Sequence, residues 1–481
     1  MIYWILGILT IIALGYMFKK HLKKIGLAIA LFVGGWIGLQ NTDVDLPQPT
    51  DPVIEIPVDT ADASDTLVIP EKPIDTIPTK PKDTIGKVYK IKLSEVGDQT
   101  VSLQQQIDKI PSGTTDAWNV IQLPSGRFWT EGDLENNPRG NKGIIRIENK
   151  HYIIIRGPSG DDKTTLYTKA PAVPFESKID RNEQSNRRHI WIIGCSDFVV
   201  KDIRIEGSDT IEGTLIGTTP EFTPDFWKGG KDKGSINGAN AYHAPWEAEH
   251  AIDVRASKNG IIENIEVSGV WGDGIYIGNS ALDPSENIIV RNNYIEYVGR
   301  QGIGAAQARN LKIYGNVIHK GRRASIDLEP FNNGFVDNVE IYDNKLHAVQ
   351  VPLAMGGKGN VSNISFHHNE YSGGALIAYD SNKVNPSNRK NYYIGYNKRT
   401  DWFGSPQAAI KFIGIENITI EHNEDNVSSK QSLRSVHLED CTGEIIVRNN
   451  NFSGGQYILK LGNTTEIINE GNTPEQIIKE Y

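Results

Sequence analysis

Cysteine is nearly absent: Cys195 and Cys441 are the only 2 in a chain of 481 residues. Two widely separated cysteines do not make a disulfide framework. No CxxC or HExxH motif occurs, so a zinc site has no support in the sequence. GGKG (356–359) lacks the Lys-Ser/Thr ending of a phosphate-binding loop. A basic surplus is also missing, since the formal net charge is -9. That argues against nucleic acid as a partner, because its binders carry basic patches. It leaves a charged glycan open, because a local groove can differ in sign from the whole. What is present, 38% hydrophobic and 23% charged residues, suffices for a buried core.

The long apolar runs are confined to the N-terminus. Ile2 to Phe18 and Ile25 to Leu39 are apolar, and KKHLKK (19–24) lies between them. Each run is at or below the spanning length of about 17 to 25 residues. No A-x-A cleavage site follows, which counts against a removed signal peptide. Residues 1–40 therefore read as a membrane hairpin with its basic loop in the cytoplasm, or as a single signal anchor. A signal peptide cut at an unrecognised site is the remaining option. Residues 41–87, rich in Pro, Asp and Thr, read as an extended spacer. Together they place residues 88–481 outside the cytoplasm, in a periplasm or at a cell surface, with the membrane engaged through residues 2–39.

From Val88 onward helical periodicity is scarce and the chain repeats. The segments VRNNYI (290–295), IYGNVI (313–318), IYDNKL (341–346), FHHNEY (366–371), IGYNKR (394–399), IEHNED (420–425) and VRNNNF (447–452) each carry Asn at the fourth place. Those residues are Asn293, Asn316, Asn344, Asn369, Asn397, Asn423 and Asn450. A second short alternating strand precedes each, as in AIDVRA (251–256), GIYIGN (274–279), GIGAAQ (302–307) and SIDLEP (325–330). Short strands at a period of about 22 to 28 residues, with Gly or Asn at the bends, imply an all-β solenoid of parallel sheets. An inward Asn at each bend bonds its neighbours above and below and satisfies backbone groups the bend leaves unpaired. The ladder is structural and carries no chemistry.

These features resemble the right-handed parallel β-helix of the pectate-lyase-like superfamily. VSLQQQIDKIPSGTTDAWNVIQLPSGRFWTEG (101–132) resembles its capping entry, a short amphipathic helix followed by a strand ending in LPSG. The resemblance covers Val88 to the C-terminus and speaks to fold more than to reaction. It implies a polysaccharide lyase, a glycoside hydrolase, an epimerase or a non-enzymatic adhesin. The fold also separates Cys195 from Cys441 by many coils of about 4.8 Å each, too far for a disulfide. Both are expected to be buried free thiols.

Superimposing four coils gives inward columns Ile252, Ile275, Ile303, Ile326 and Val254, Ile277, Ala305, Leu328. The outward columns are Asp253, Tyr276, Gly304, Asp327 and Arg255, Gly278, Ala306, Glu329. Arg300 and Arg323 border the same area. Gly272, Gly274, Gly278, Gly302, Gly304 and Ala306 read as a bare floor, since Gly in a strand often marks close approach to the backbone. Charged residues wall this trough, and Tyr276 rises from it as a stacking platform.

Asp327 and Glu329 lie two residues apart on one strand, about 6.6 Å between Cα atoms. That is near the separation of about 6.5 to 9.5 Å of an inverting glycosidase pair. One carboxyl would protonate the leaving oxygen and the other would activate water. In the alternative, β-elimination on a uronic acid polymer, Arg300 or Arg323 is the base or carboxylate clamp. Asp253, Asp327 or Glu329 would then hold Ca²⁺; otherwise no cofactor is implied. Asp273 points inward by strand parity but sits where a bend enters the strand. It is either a turn aspartate bonding backbone amides or part of the site. His250 is inward by parity and reads as a satisfied histidine. The insertion from Asp209 to Glu249 brings Phe222, Phe226, Trp227, Tyr242 and Trp246, with Lys228 and Lys231. Long loops in compact folds are commonly functional, and Trp227 and Trp246 are expected to wall the trough.

Three functions stay open. One is a membrane-anchored enzyme that cleaves or remodels a polysaccharide through Asp253, Arg300, Asp327 and Glu329. Tyr276, Arg255, Arg323, Asp273, Trp227 and Trp246 would contact its substrate. The second is a glycan-binding, adhesin-type module using the same trough. The third is a structural rod.

Overall fold

The computed structural model describes residues 85–132, 143–169, 187–209, 248–279, 281–331, 334–348, 351–379, 389–401, 408–425, 434–453 and 455–480. The apolar N-terminal runs and the spacer up to residue 84 lie outside these residues, as does most of the aromatic insertion. Among the described residues no helix is long and apolar enough to cross a membrane.

The described chain winds through three sheets, of 13, 12 and 11 strands, in which neighbouring strands come from successive coils. The strand pairs at the site and through the stack are parallel. The single helix of the described residues, Thr100–Asp108, turns Leu103 and Ile107 inward at the first end of the stack. The strand Trp118–Gln122 follows it, as the capping-entry resemblance implies. The first described strand, Ile85–Lys90, already pairs with Trp118–Gln122.

The predicted inward columns are the core. Ile252, Ile275, Ile303 and Ile326 are in register and fully buried, as are Val254, Ile277 and Leu328. Cys195 and Cys441 are buried and unpaired.

The asparagine ladder forms as the repeat implies. Asn316 Oδ1 accepts the backbone N–H of Asn293 at 3.1 Å and its Nδ2 at 2.9 Å. The pattern continues coil by coil and extends past Asn450 to Asn472. A second ladder, not read from the sequence, runs through Asn259, Asn287, Asn310 and Asn338. Each of these holds a positive φ of 54 to 56°, a left-handed conformation that Asn tolerates better than most side chains.

Candidate functional site

Four strands of the 12-stranded sheet carry the site: His250–Arg255, Ile275–Ile277, Gln301–Ala305 and Ala324–Leu328. Asp253, Tyr276, Gly304 and Asp327 are in register on the outer face, as the alternation requires. The column continues to Trp191 on one side and Ala354 on the other.

Alternation breaks at the bend that enters these strands. Asp273 and Gln301, inward by parity, lie on the outer face. A Cβ built on Gly304 would sit 2.8 Å from Gln301 Oε1, 3.0 Å from Asp273 Oδ2 and 3.2 Å from the Tyr276 ring. His250 is on that face too, its ring stacked on Tyr276 at 4.6 Å and 3°. The space above Gly304 is therefore filled by the protein's own polar groups. Gly274 and Gly302 face inward, against Ile295 and Ile318, and Gly278 is closed by the Gln307 backbone at 2.1 Å. The expected bare floor is corrected accordingly: these glycines make room for packing, a bend and an amide.

Asp253 is fully buried and ion-paired with Arg188 and, at 2.9 Å, with Arg255. Burial pushes its pKa up, but the Arg255 and Arg188 guanidiniums outweigh it and hold the carboxyl below its usual range. Asp273 Oδ2 meets Arg300 Nη1 at 3.1 Å, and its Oδ1 accepts the Gln301 backbone N–H at 3.1 Å. The turn reading of Asp273 holds, since it bonds the Gln301 backbone amide; its carboxylate also lies on the outer face beside Arg300. His250 Nδ1 accepts the Asp273 N–H at 3.1 Å, which leaves the ring proton on Nε2. Burial keeps this imidazole neutral, with its pKa well below the ordinary 6.5.

Asp327 behaves in the opposite way to Asp253. Burial, then the charge of Glu329, push its pKa up to about 7. Arg323, Arg300 and a hydrogen bond from Gln301 Nε2 oppose the rise without reversing it. Glu329 sits between Arg300 at 3.1 Å and Arg323 at 3.3 Å. Arg323 also lies 3.8 Å from Asp327 Oδ2. Tyr379 leans over Gly356, whose added Cβ would meet its ring and hydroxyl at 2.9 Å. Burial and the nearby Asp327 and Glu329 charges raise its pKa.

The structure thus gathers Asp253, Arg255, Tyr276, Asp273, Arg300, Arg323, Asp327 and Glu329 on one face. Trp227 and Trp246 lie outside the described residues. Arg188, Trp191, His250, Gln301 and Tyr379 belong to the face but were not named from the sequence. Extending the aligned columns one coil back and two forward would have found Trp191 and Tyr379. Arg188, which is in register with His250, was hidden with His250 and Gln301 by the parity break. Ca²⁺ does not fit this donor set. Asp253 and Glu329 each face two guanidiniums, and among the described residues no group of three or more His, Cys, Asp or Glu side chains is placed to hold a metal ion.

Residues 175–328 and 229–390 match the family model described as the right handed beta helix region. Several solved structures are similar to the chain. A surface protein and adhesin of Streptococcus pneumoniae has a TM-score of 0.52 at 14% identity, over 82% of this chain and 100% of that one. The A-module of a mannuronan C-5 epimerase from Azotobacter vinelandii gives 0.48 at 14% identity, over 83% and 96%. The catalytic unit of an alpha-1,3-glucanase from Streptomyces thermodiastaticus gives 0.48 at 11% identity, over 83% and 70%. No curated protein matches the chain by sequence.

Proposed function

As a right-handed parallel β-helix, the chain presents one polar outer face, and we propose that it cleaves or remodels a polysaccharide there. The observation that carries this reading is Asp327. It is a buried carboxyl on the outer face of the sheet, set against Glu329 and held by a side-chain amide. A group that ionises near neutrality is suited to give a proton to a leaving oxygen or to take one from a sugar carbon. Asp253, locked between Arg188 and Arg255, orders the neighbouring coil. Tyr276, with Arg255 at 5.9 Å from its ring, offers an aromatic flank to a sugar.

The arginines weigh on the choice of reaction. Glu329 is held by two guanidiniums, which weakens it as a base for water. The hydrolase reading therefore leans on Asp327 as acid. In the elimination reading Asp327 is the proton acceptor, and Arg300 and Arg323 compensate charge. The test is a panel of acidic and neutral polysaccharides presented to the full chain, with and without Asp327→Asn. Absorbance would report unsaturated ends and a reducing-end assay would report cleavage. Unsaturation together with new reducing ends means elimination; reducing ends alone mean hydrolysis. Silence on every polymer, with undiminished glycan binding by Asp327→Asn, would remove the enzyme reading.

A second reading, a glycan-binding module without turnover, is favoured by the adhesin likeness and by the closed ion-pair network around Asp253 and Glu329. For either function we propose that residues 2–39 tether the domain outside the cytoplasm. Fractionation of cells producing the chain with and without those residues checks it, and equal membrane recovery of both would refute the tether.

A further inference from the structure

The Proposed function leaves open what fixes the proton on Asp327, and Gln301 answers it. A side-chain amide has one accepting end and one donating end. Arg300 only donates, and its Nη1 lies 3.1 Å from Gln301 Oε1. The oxygen of Gln301 must therefore face Arg300, and its Nε2 must face Asp327. Arg300 is itself fixed by Asp273 at 3.1 Å and Glu329 at 3.1 Å. The Gln301 backbone is fixed by Asp273 Oδ1 at 3.1 Å. Gly304 leaves the amide the room it needs, since any Cβ there would press on Gln301 Oε1 at 2.8 Å.

Both groups that approach Asp327 from the described residues, Gln301 Nε2 and Arg323 Nη2, reach Oδ2. A proton on Oδ2 would point at the amide N–H. Among the described residues Oδ1 receives no hydrogen bond. We propose that Gln301 is a positioning residue that dedicates Oδ2 of Asp327 to the amide and leaves Oδ1 as the atom that carries the exchanged proton. The proposal rests on the reading of Asp327 as the proton-transfer group.

Gln301→Met keeps the length of the side chain and removes the donor. A hydrogen bond to a charged group is worth about 1.5 to 3 kcal/mol, so its loss raises the Asp327 midpoint by about one to two pH units. The midpoint is read without turnover by infrared difference titration of the full chain, with Asp327→Asn assigning the carboxyl band. Where a substrate has been found, the same shift should appear in the alkaline limb of the pH–rate profile. A Gln301→Met protein with its midpoint unchanged overturns the proposal, whatever its melting temperature. If Gln301→Met fails to fold, Gly304→Ala crowds the amide without removing it; a smaller shift in the same direction supports the proposal, and none overturns it. A shifted midpoint in a protein inert toward every polysaccharide would sink the enzyme reading and support the positioning by Gln301. Turnover with an unmoved midpoint would do the reverse.

Discussion

Asp327→Asn should make this protein more stable at neutral and alkaline pH. In the unfolded chain the carboxyl ionises near its ordinary 3.8, and in the folded chain only near 7. Below 3.8 both states hold the proton, and the residue is neutral toward folding. Between these values the unfolded chain has lost its proton while the folded chain keeps it, so stability falls as pH rises. A shift of about three units, at 1.36 kcal/mol each, sets a ceiling of about 4 kcal/mol above pH 7. Asn cannot ionise and removes this term. It also keeps an oxygen for the Gln301 Nε2 donor, and Arg323 keeps Glu329 at 3.3 Å. The expected gain is ~1–4 kcal/mol at pH 8 and close to nothing at pH 4. Denaturant unfolding of parent and variant at pH 4, 6 and 8, followed by circular dichroism, reads the difference. A variant less stable than the parent at pH 8, or a gain that does not grow with pH, would refute the reasoning.

Three further changes separate the roles of neighbouring groups. Glu329→Gln removes the second cause of the Asp327 shift and one carboxylate partner of Arg300 and Arg323; the Asp327 midpoint in the infrared titration should fall by about a unit or more, and a rise would contradict the assignment. Asp253→Asn takes a carboxylate from the buried Arg188 and the half-buried Arg255, and should cost about 3 to 5 kcal/mol in denaturant unfolding; a loss under 1 kcal/mol would mean that the Arg188–Asp253 pair is not buried as described. Asn369→Ala deletes the bonds from Nδ2 to Ile341 O at 2.9 Å and to Asn397 Oδ1 at 3.0 Å, and takes the Asn369 Oδ1 acceptor from the Asn344 backbone N–H. Amide exchange at Asn344 should quicken locally, with a stability loss of roughly 2 to 4 kcal/mol; unchanged exchange there would refute the ladder.

The architecture was legible because a solenoid writes its geometry repeatedly. One Asn at one place in each coil, with apolar residues two apart before it, gives the bend and the inward face together. Neighbouring coils then have to align, and Ile252, Ile275, Ile303 and Ile326 do so residue for residue. The outward column followed from the same register. The glycines were less legible, since a missing side chain tells nothing about which way its Cβ would have pointed. Gly274 and Gly278 lie four residues apart, yet one faces the Ile295 side chain and the other the Gln307 backbone. Arg188 escaped because it shares the column of His250, which alternation places inward, and Tyr379 because it lies two coils beyond the four that were aligned.

The parity break is what turns a ladder into a site. Strict alternation would put Asp253, Tyr276, Gly304 and Asp327 outside and bury His250, Asp273 and Gln301 in the apolar core, where an aspartate would be very costly. The bend resolves this by turning residues three apart, 273 and 276 or 301 and 304, to one side. The core is closed behind them by Ala251, which is fully buried, and by Gly274 and Gly302, which face Ile295 and Ile318. The guanidiniums are then shared unevenly along the column. Arg188 and Arg255 both bond Asp253, whereas Arg300 and Arg323 spend their direct contacts mainly on Asp273 and Glu329. Asp327 is left with an amide, Arg323 at 3.8 Å, the more distant charge of Arg300 and a neighbouring negative charge. Asp253 and Asp327 stand three coils apart, about 14 Å at the usual strand spacing, so their ionisations are set separately. Two aspartates in one column therefore ionise in different ranges for local reasons: the Arg255 and Arg188 guanidiniums hold Asp253 below the usual carboxylate range, whereas burial and the Glu329 charge raise Asp327 to about 7.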